Sequence, residues 1–129
     1  MQPQLDHLIV RVGDKQASAA FLAEILGLDP PVTLDPFEQV DTGNGVSIDF
    51  FDREPPGHRL HLAFLVTERE FDDVFGRVCE RGLDYWADPR QNEPGEINDK
   101  DGGRGVYFED PSGHLWEILT RPYGSGPQT

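Results

Sequence analysis

The chain has 129 residues, with 24 acidic against 11 basic side chains and a formal net charge of −13. That length fits a single domain with a core of its own and is too short for two ordinary ones. Such a surface repels phosphate backbones and anionic headgroups, which excludes nucleic acid and membranes as partners, and no apolar run reaches the roughly 20 residues of a membrane span. One cysteine, Cys79, rules out an internal disulfide and a cysteine metal cluster. The N-terminal residues lack the charged and apolar regions of a signal peptide, and the expected compartment is the cytoplasm.

Residues 5–12 (LDHLIVRV) read as a strand with His7, Ile9 and Arg11 on one face and Leu8, Val10 and Val12 on the other. Asp14 is a suitable N-cap for a helix from Lys15 to Leu26, with an apolar stripe of Phe21, Leu22, Ile25 and Leu26 and Gly27 as its stop. Residues 30–34 and 37–41 are short strands between prolines. Gly43-Asn44-Gly45 is a hairpin signal, and residues 46–52 (VSIDFFD) follow as a strand on which Asp49 and Phe51 share a face.

After a connector at Glu54-Pro55-Pro56-Gly57 the pattern restarts. Residues 59–66 (RLHLAFLV) form a strand with His61, Ala63 and Leu65 on one face. Thr67 and Glu70 fit a capping box, with Val66 and Phe71 as its hydrophobic staple. The helix runs to about Arg81, burying Phe71, Val74, Phe75 and Val78, with Gly82 as its stop. Residues 83–87 are a short strand, and residues 88–104 a long polar loop, either a lid or a solvated segment. The last two strands flank the turn Asp110-Pro111-Ser112-Gly113, and the residues beyond 121 are expected to fray.

The final strand carries an oddity. Leu115, Glu117 and Leu119 share one face, so a carboxylate points where leucines point, and an unpartnered buried carboxylate costs several kcal/mol. Each half of the chain reads strand, helix, then three strands. His7-Leu8 and His61-Leu62 each head a strand that leads to a helix cap, and at the same spacing Val12 matches Val66 and Phe21 matches Phe75. Asp49 holds in the first half the place of Glu117 in the second. Two imidazoles and one or two carboxylates on neighbouring strands suit a divalent metal that takes nitrogen and oxygen: Fe, Mn, Ni, Co or Zn. The metal would also let Glu117 stay ionised among leucines. His58, in a loop, and His114, on the face opposite Glu117, read as ordinary structural residues, and Cys79 as packing or surface.

The segments DHLIVRVGD around His7, LHLAFLV around His61 and FEDPSGHLWEIL ending past Glu117 resemble the vicinal oxygen chelate superfamily. That superfamily includes glyoxalase I, extradiol dioxygenases, fosfomycin-resistance enzymes, methylmalonyl-CoA epimerase and bleomycin-binding proteins. The likeness spans roughly residues 5–121. It implies one α+β domain of two paired βαβββ modules, about 5–53 and 59–121, whose mixed sheet curves around a metal cavity, with a flexible tail at 122–129. It also implies a homodimer acting on a small molecule chelated through two adjacent oxygens.

Three readings follow from the resemblance. In bacterial glyoxalase I two His and two Glu hold the metal, matching His7, Asp49, His61 and Glu117 by position, with Asp in place of one Glu. The metal then polarises a hemithioacetal and stabilises an enediolate, with Glu117 the first choice of base and Asp49 the second. This lyase or isomerase reading is slightly favoured. In extradiol dioxygenases two His and one Glu hold Fe(II) and a tyrosine stands ten residues before the Glu, as Tyr107 does here. For Tyr107 a plain core aromatic is the competing reading. In bleomycin-binding relatives an acidic dimer sequesters a cationic drug; Trp86, Trp116, Phe51 and Tyr107 would line that groove.

Overall fold

A computed structural model of the protein describes residues 2–53 and 57–126 and gives an α+β fold with two four-stranded mixed sheets and two helices. The connector residues Glu54, Pro55 and Pro56 and the tail residues 127–129 lie outside the described residues. The chain divides into two compact units, Met1–Arg59 and Leu60–Thr129, close to the boundary of the sequence repeat.

The first unit contains β1 (His7–Val12), α1 (Lys15–Leu26), β2 (Val32–Leu34), β3 (Phe37–Asp41) and β4 (Ser47–Asp52), with sheet order β1-β4-β3-β2. The β1–β4 pair is parallel and the others antiparallel, because the helix between β1 and β2 carries the chain over one face of the sheet. Asp14 caps α1 by accepting from the Ala17 amide, and Gly27 ends it at φ 70°, a left-handed conformation that glycine adopts without a Cβ clash. The stripe that α1 buries is Ser18, Ala19, Leu22, Ala23 and Ile25; Phe21 and Leu26, expected in it, are half-buried on its flanks. Beneath lie Val10, Val12, Val40, Ile48 and Phe50, all at 2 % exposure or less. The opposite face of β1 is open, with His7, Ile9 and Arg11 exposed.

The second unit repeats the topology with β5 (His61–Leu65), α2 (Glu68–Glu80), β6 (Tyr85–Trp86), β7 (Gly105–Glu109) and β8 (Leu115–Leu119), in sheet order β5-β8-β7-β6. The capping box is complete: Thr67 Oγ1 accepts from the Glu70 amide, and Glu70 Oε1 accepts from the Thr67 amide at 2.8 Å. Arg104 clamps the first turns of α2 through Glu68 (2.8 Å) and Asp72 (2.9 Å) and lies 4.4 Å from the Phe71 ring centre. At the turn after β7, Asp110 Oδ1 accepts from the amides of Ser112 and His114.

Two expectations change here. The 88–104 loop is built rather than merely solvated: Asp88 accepts from the amides of Asn92 and Glu93, and Asn98 bridges to Ala87 and Gly105. Within the tail, the Gly124 and Gly126 amides donate to the two oxygens of Asp101, each at 3.0 Å, so residues 124–126 are fastened to that loop. Among the described residues, no helix is long and apolar enough to cross a membrane.

Candidate metal centre

In the second sheet the register sets Glu117 on β8 between Ala63 on β5 and Tyr107 on β7. Strand alternation then aims its side chain to the same side as His61. His61 Nε2 lies 2.8 Å from Glu117 Oε1, with the imidazole side chain 44 % exposed and the carboxylate 8 %. Tyr107 is buried, donates its hydroxyl to Glu117, and stands edge-on to His61 with ring centres 5.5 Å apart. Burial, then the charge of Glu117 and that hydrogen bond, push the phenol far above its ordinary range, so it keeps its proton. The partner that Glu117 needs is therefore an imidazole on one side and a phenol on the other.

These three residues line an open cleft of about 380 Å³, with Ala63, Pro89, Lys100, Leu119 and Tyr123 as its remaining walls. That volume is in the range of small-molecule sites.

The first sheet has the corresponding register: Asp49 on β4 sits between Ile9 on β1 and Gln39 on β3. Asp49 is 7 % exposed, and its Oδ1 accepts from Gln39 Nε2 at 3.1 Å and from Ser47 Oγ at 3.2 Å. His7 is exposed at the start of β1, with Nδ1 2.7 Å from Asp6 Oδ2. That hydrogen bond is the main reason the imidazole is lifted above its ordinary pKa. It also fixes the ring and leaves Nε2 for another partner, the arrangement of a carboxylate that orients a metal-ligating histidine.

Of the residues singled out from sequence, the fold brings His61, Glu117 and Tyr107 together. Among the described residues, no three His, Cys, Asp or Glu side chains gather as one metal-binding group. The donor chemistry of the second unit nonetheless suits a divalent cation: a buried carboxylate faces an imidazole at the floor of an open cleft, with no sulfur beside them.

His114 is buried, with its Nδ1 accepting from the Leu60 amide, and serves structure as expected. Trp116 departs from its expected place in a ligand groove. It is fully buried, stacked on His114 and edge-on to Phe64, because adjacent strand residues face opposite sides and Glu117 takes the cleft side. Phe51 packs on Phe37 in the first unit. Sequence reasoning missed Asp6, Gln39, Lys100 and Tyr123. For Asp6 a signal existed, an acid directly before the histidine; Gln39 shows only once the register of β3 against β4 is known.

A sequence profile described as the Glyoxalase/Bleomycin resistance protein/Dioxygenase superfamily matches residues 4–118. The solved structure titled "Oxidase ChaP-H2" has 57 % sequence identity and a TM-score of 0.94, covering 98 % of this chain and 100 % of that one. "Oxidase ChaP-H1" has 56 % identity and a TM-score of 0.92, covering 95 % and 99 %. Glutathione transferase FosA of Serratia marcescens is 30 % identical over 92 % of this chain and 81 % of its own length.

Proposed function

Because this chain belongs to the Glyoxalase/Bleomycin resistance protein/Dioxygenase superfamily, we propose that it is a divalent-metal-dependent enzyme that oxidises, with dioxygen, a small substrate chelated through two adjacent oxygens. The observation that carries the proposal is the His61–Glu117 pair, 2.8 Å apart at the floor of an open cleft. Oxidation is favoured over isomerisation for two reasons. The relatives sharing 56 % and 57 % of their residues with this chain are named oxidases. In addition, one oxygen of Asp49, the fourth ligand that the isomerase reading needs, is held by Gln39 and Ser47. The ligand set in this proposal is His7, His61 and Glu117, two imidazoles and one carboxylate, the set associated with non-haem iron oxygenases.

His7, His61 and Glu117 would hold the ion, which supplies when bound the positive charge that polarises two adjacent oxygens and a path for electrons to dioxygen. The protein's part is orientation and proton control. Asp6 holds the His7 ring so that one nitrogen remains for ligation. Tyr107 keeps its proton and donates to Glu117, which fixes the carboxylate and places a hydroxyl beside the substrate's position in the cleft. Asp49 acts as a positioning residue in the first sheet. Ile9, Val32 and Leu34 of the first unit are exposed apolar side chains that a second copy of the chain would cover in a homodimer.

The test loads purified protein with Fe(II), Mn(II), Ni(II), Co(II) or Zn(II) in turn and measures dioxygen uptake on a catechol panel and product formation on a thiol-hemithioacetal panel. Dioxygen uptake with one metal bound per chain is the expected result. Turnover of hemithioacetals without dioxygen would return the enzyme to the isomerase class.

A further inference from the structure

The cleft that holds His61, Glu117 and Tyr107 has one cation in its wall, Lys100. In a chain of net charge −13 a lysine is ordinarily neutralised by nearby acids, and Lys100 lies in sequence between Asp99 and Asp101. Yet among the described residues no carboxylate pairs with its ammonium. Asp101, the obvious candidate, has both oxygens committed to the Gly124 and Gly126 amides. The ammonium instead lies 5.6 Å from the centre of the Tyr107 ring, within range of a cation–π contact. Its backbone is held in place: the Lys100 amide donates to Asn98 Oδ1 at 3.1 Å, and Asn98 Nδ2 donates to the Ala87 carbonyl at 2.9 Å. A positive charge with no acid partner among the described residues is thus presented to the cleft from a fixed platform.

The fastening of Gly124 and Gly126 has a second effect. It sets Tyr123 at the mouth of the cleft, where the residue is 85 % exposed. A Cβ added at Gly126 would stand 2.5 Å from the Asp101 Cα, so the strap seats only because that residue is glycine. An exposed aromatic ring at a cleft mouth is suited to lie on a flat ligand.

We propose that the substrate is a planar aromatic or enolic compound bearing an anionic group beside its two chelating oxygens, and that Lys100 recognises that group while Tyr123 covers the ring. This deepens the function proposed above and rests on chelation at the His61–Glu117 pair. The strongly acidic surface repels such an anion at long range, and Lys100 gives it one place to bind; a charge-assisted contact of this kind discriminates by about tenfold or more.

The experiment measures binding of catechol and of 3,4-dihydroxybenzoate to the metal-loaded full chain without dioxygen, by the absorbance of the bound catecholate. Wild type is expected to bind the carboxylate-bearing probe about tenfold more tightly than catechol. Lys100→Met should bring the two affinities within about twofold of each other, and Lys100→Arg should keep most of the preference. Tyr123→Ala should weaken both probes alike. A wild-type protein without preference, or a Lys100→Met variant that retains it, overturns the role of Lys100, and a Tyr123→Ala variant that binds both as wild type does removes the covering ring. If neither probe binds the wild type, chelation itself fails and the Lys100 assignment falls with it.

Discussion

Gln39 occupies in the first sheet the register position that Tyr107 occupies in the second: each is the cross-strand neighbour of the carboxylate on the last strand of its unit, and each hydrogen-bonds it. The repeat therefore extends beyond the histidines and acids to the groups that hold the acids. The two halves have diverged at this point. Gln39 and Ser47 together satisfy an oxygen of Asp49, whereas Glu117 faces His61 and a cleft.

Removal of either member of the second-unit pair should abolish metal binding. For His61→Ala and Glu117→Ala, metal content by elemental analysis is expected to fall from about one per chain to background, with the circular dichroism of the folded protein retained. If both variants keep metal at wild-type affinity, the ligand assignment is wrong.

Asp49→Asn tests the divergence between the halves. It keeps the shape and loses the charge, and metal content should stay at about one per chain, with a stability loss of about 1 kcal/mol from the weakened contacts to Gln39 and Ser47. A loss of metal comparable to that of Glu117→Ala would make Asp49 a ligand.

Tyr107→Phe removes the donor that orients Glu117 and should lower metal affinity or turnover by about 10- to 100-fold, as changes to groups behind a ligand commonly do. Asp6→Ala should act in the same direction through His7. Titration with a chromophoric chelator reads both, and unchanged affinity together with unchanged turnover would reduce these two residues to structural roles.

The capping box of α2 gives a prediction independent of function. Thr67→Ala should cost about 1 kcal/mol in urea unfolding. The Thr67 amide and hydroxyl hold the Glu70 carboxyl below its ordinary value of 4.5. A carboxyl depressed in the folded state stabilises the fold above its unfolded pKa and loses that contribution as pH falls through the folded one. The stability gap between wild type and Glu70→Ala should therefore be full at pH 6 and shrink steadily below about pH 4.5.

How much of this was legible in the sequence depended on whether the signal was local. The Asp14 and Thr67 caps and the Asp110 turn are read from a few adjacent residues, and all three formed. The meeting of His61 with Glu117 followed from two-residue periodicity and a repeat, though they are far apart in the chain. Trp116 was misplaced because its aromatic character was weighed above its parity with Glu117, which the same periodicity already fixed. Lys100 and Tyr123 were out of reach: their place in the cleft depends on a hydrogen bond from a tail amide to Asp101, and no periodic pattern encodes that.

The clasp between Asp101 and the glycines near the end of the chain bears on how the protein is handled. An expression fragment cut after residue 121 would strip both donors from Asp101, leaving a freed acid next to Lys100 to compete for its ammonium. Ligand affinities measured on such a fragment would understate those of the longer chain, and a fusion partner joined close behind Gly126 would carry the same hazard.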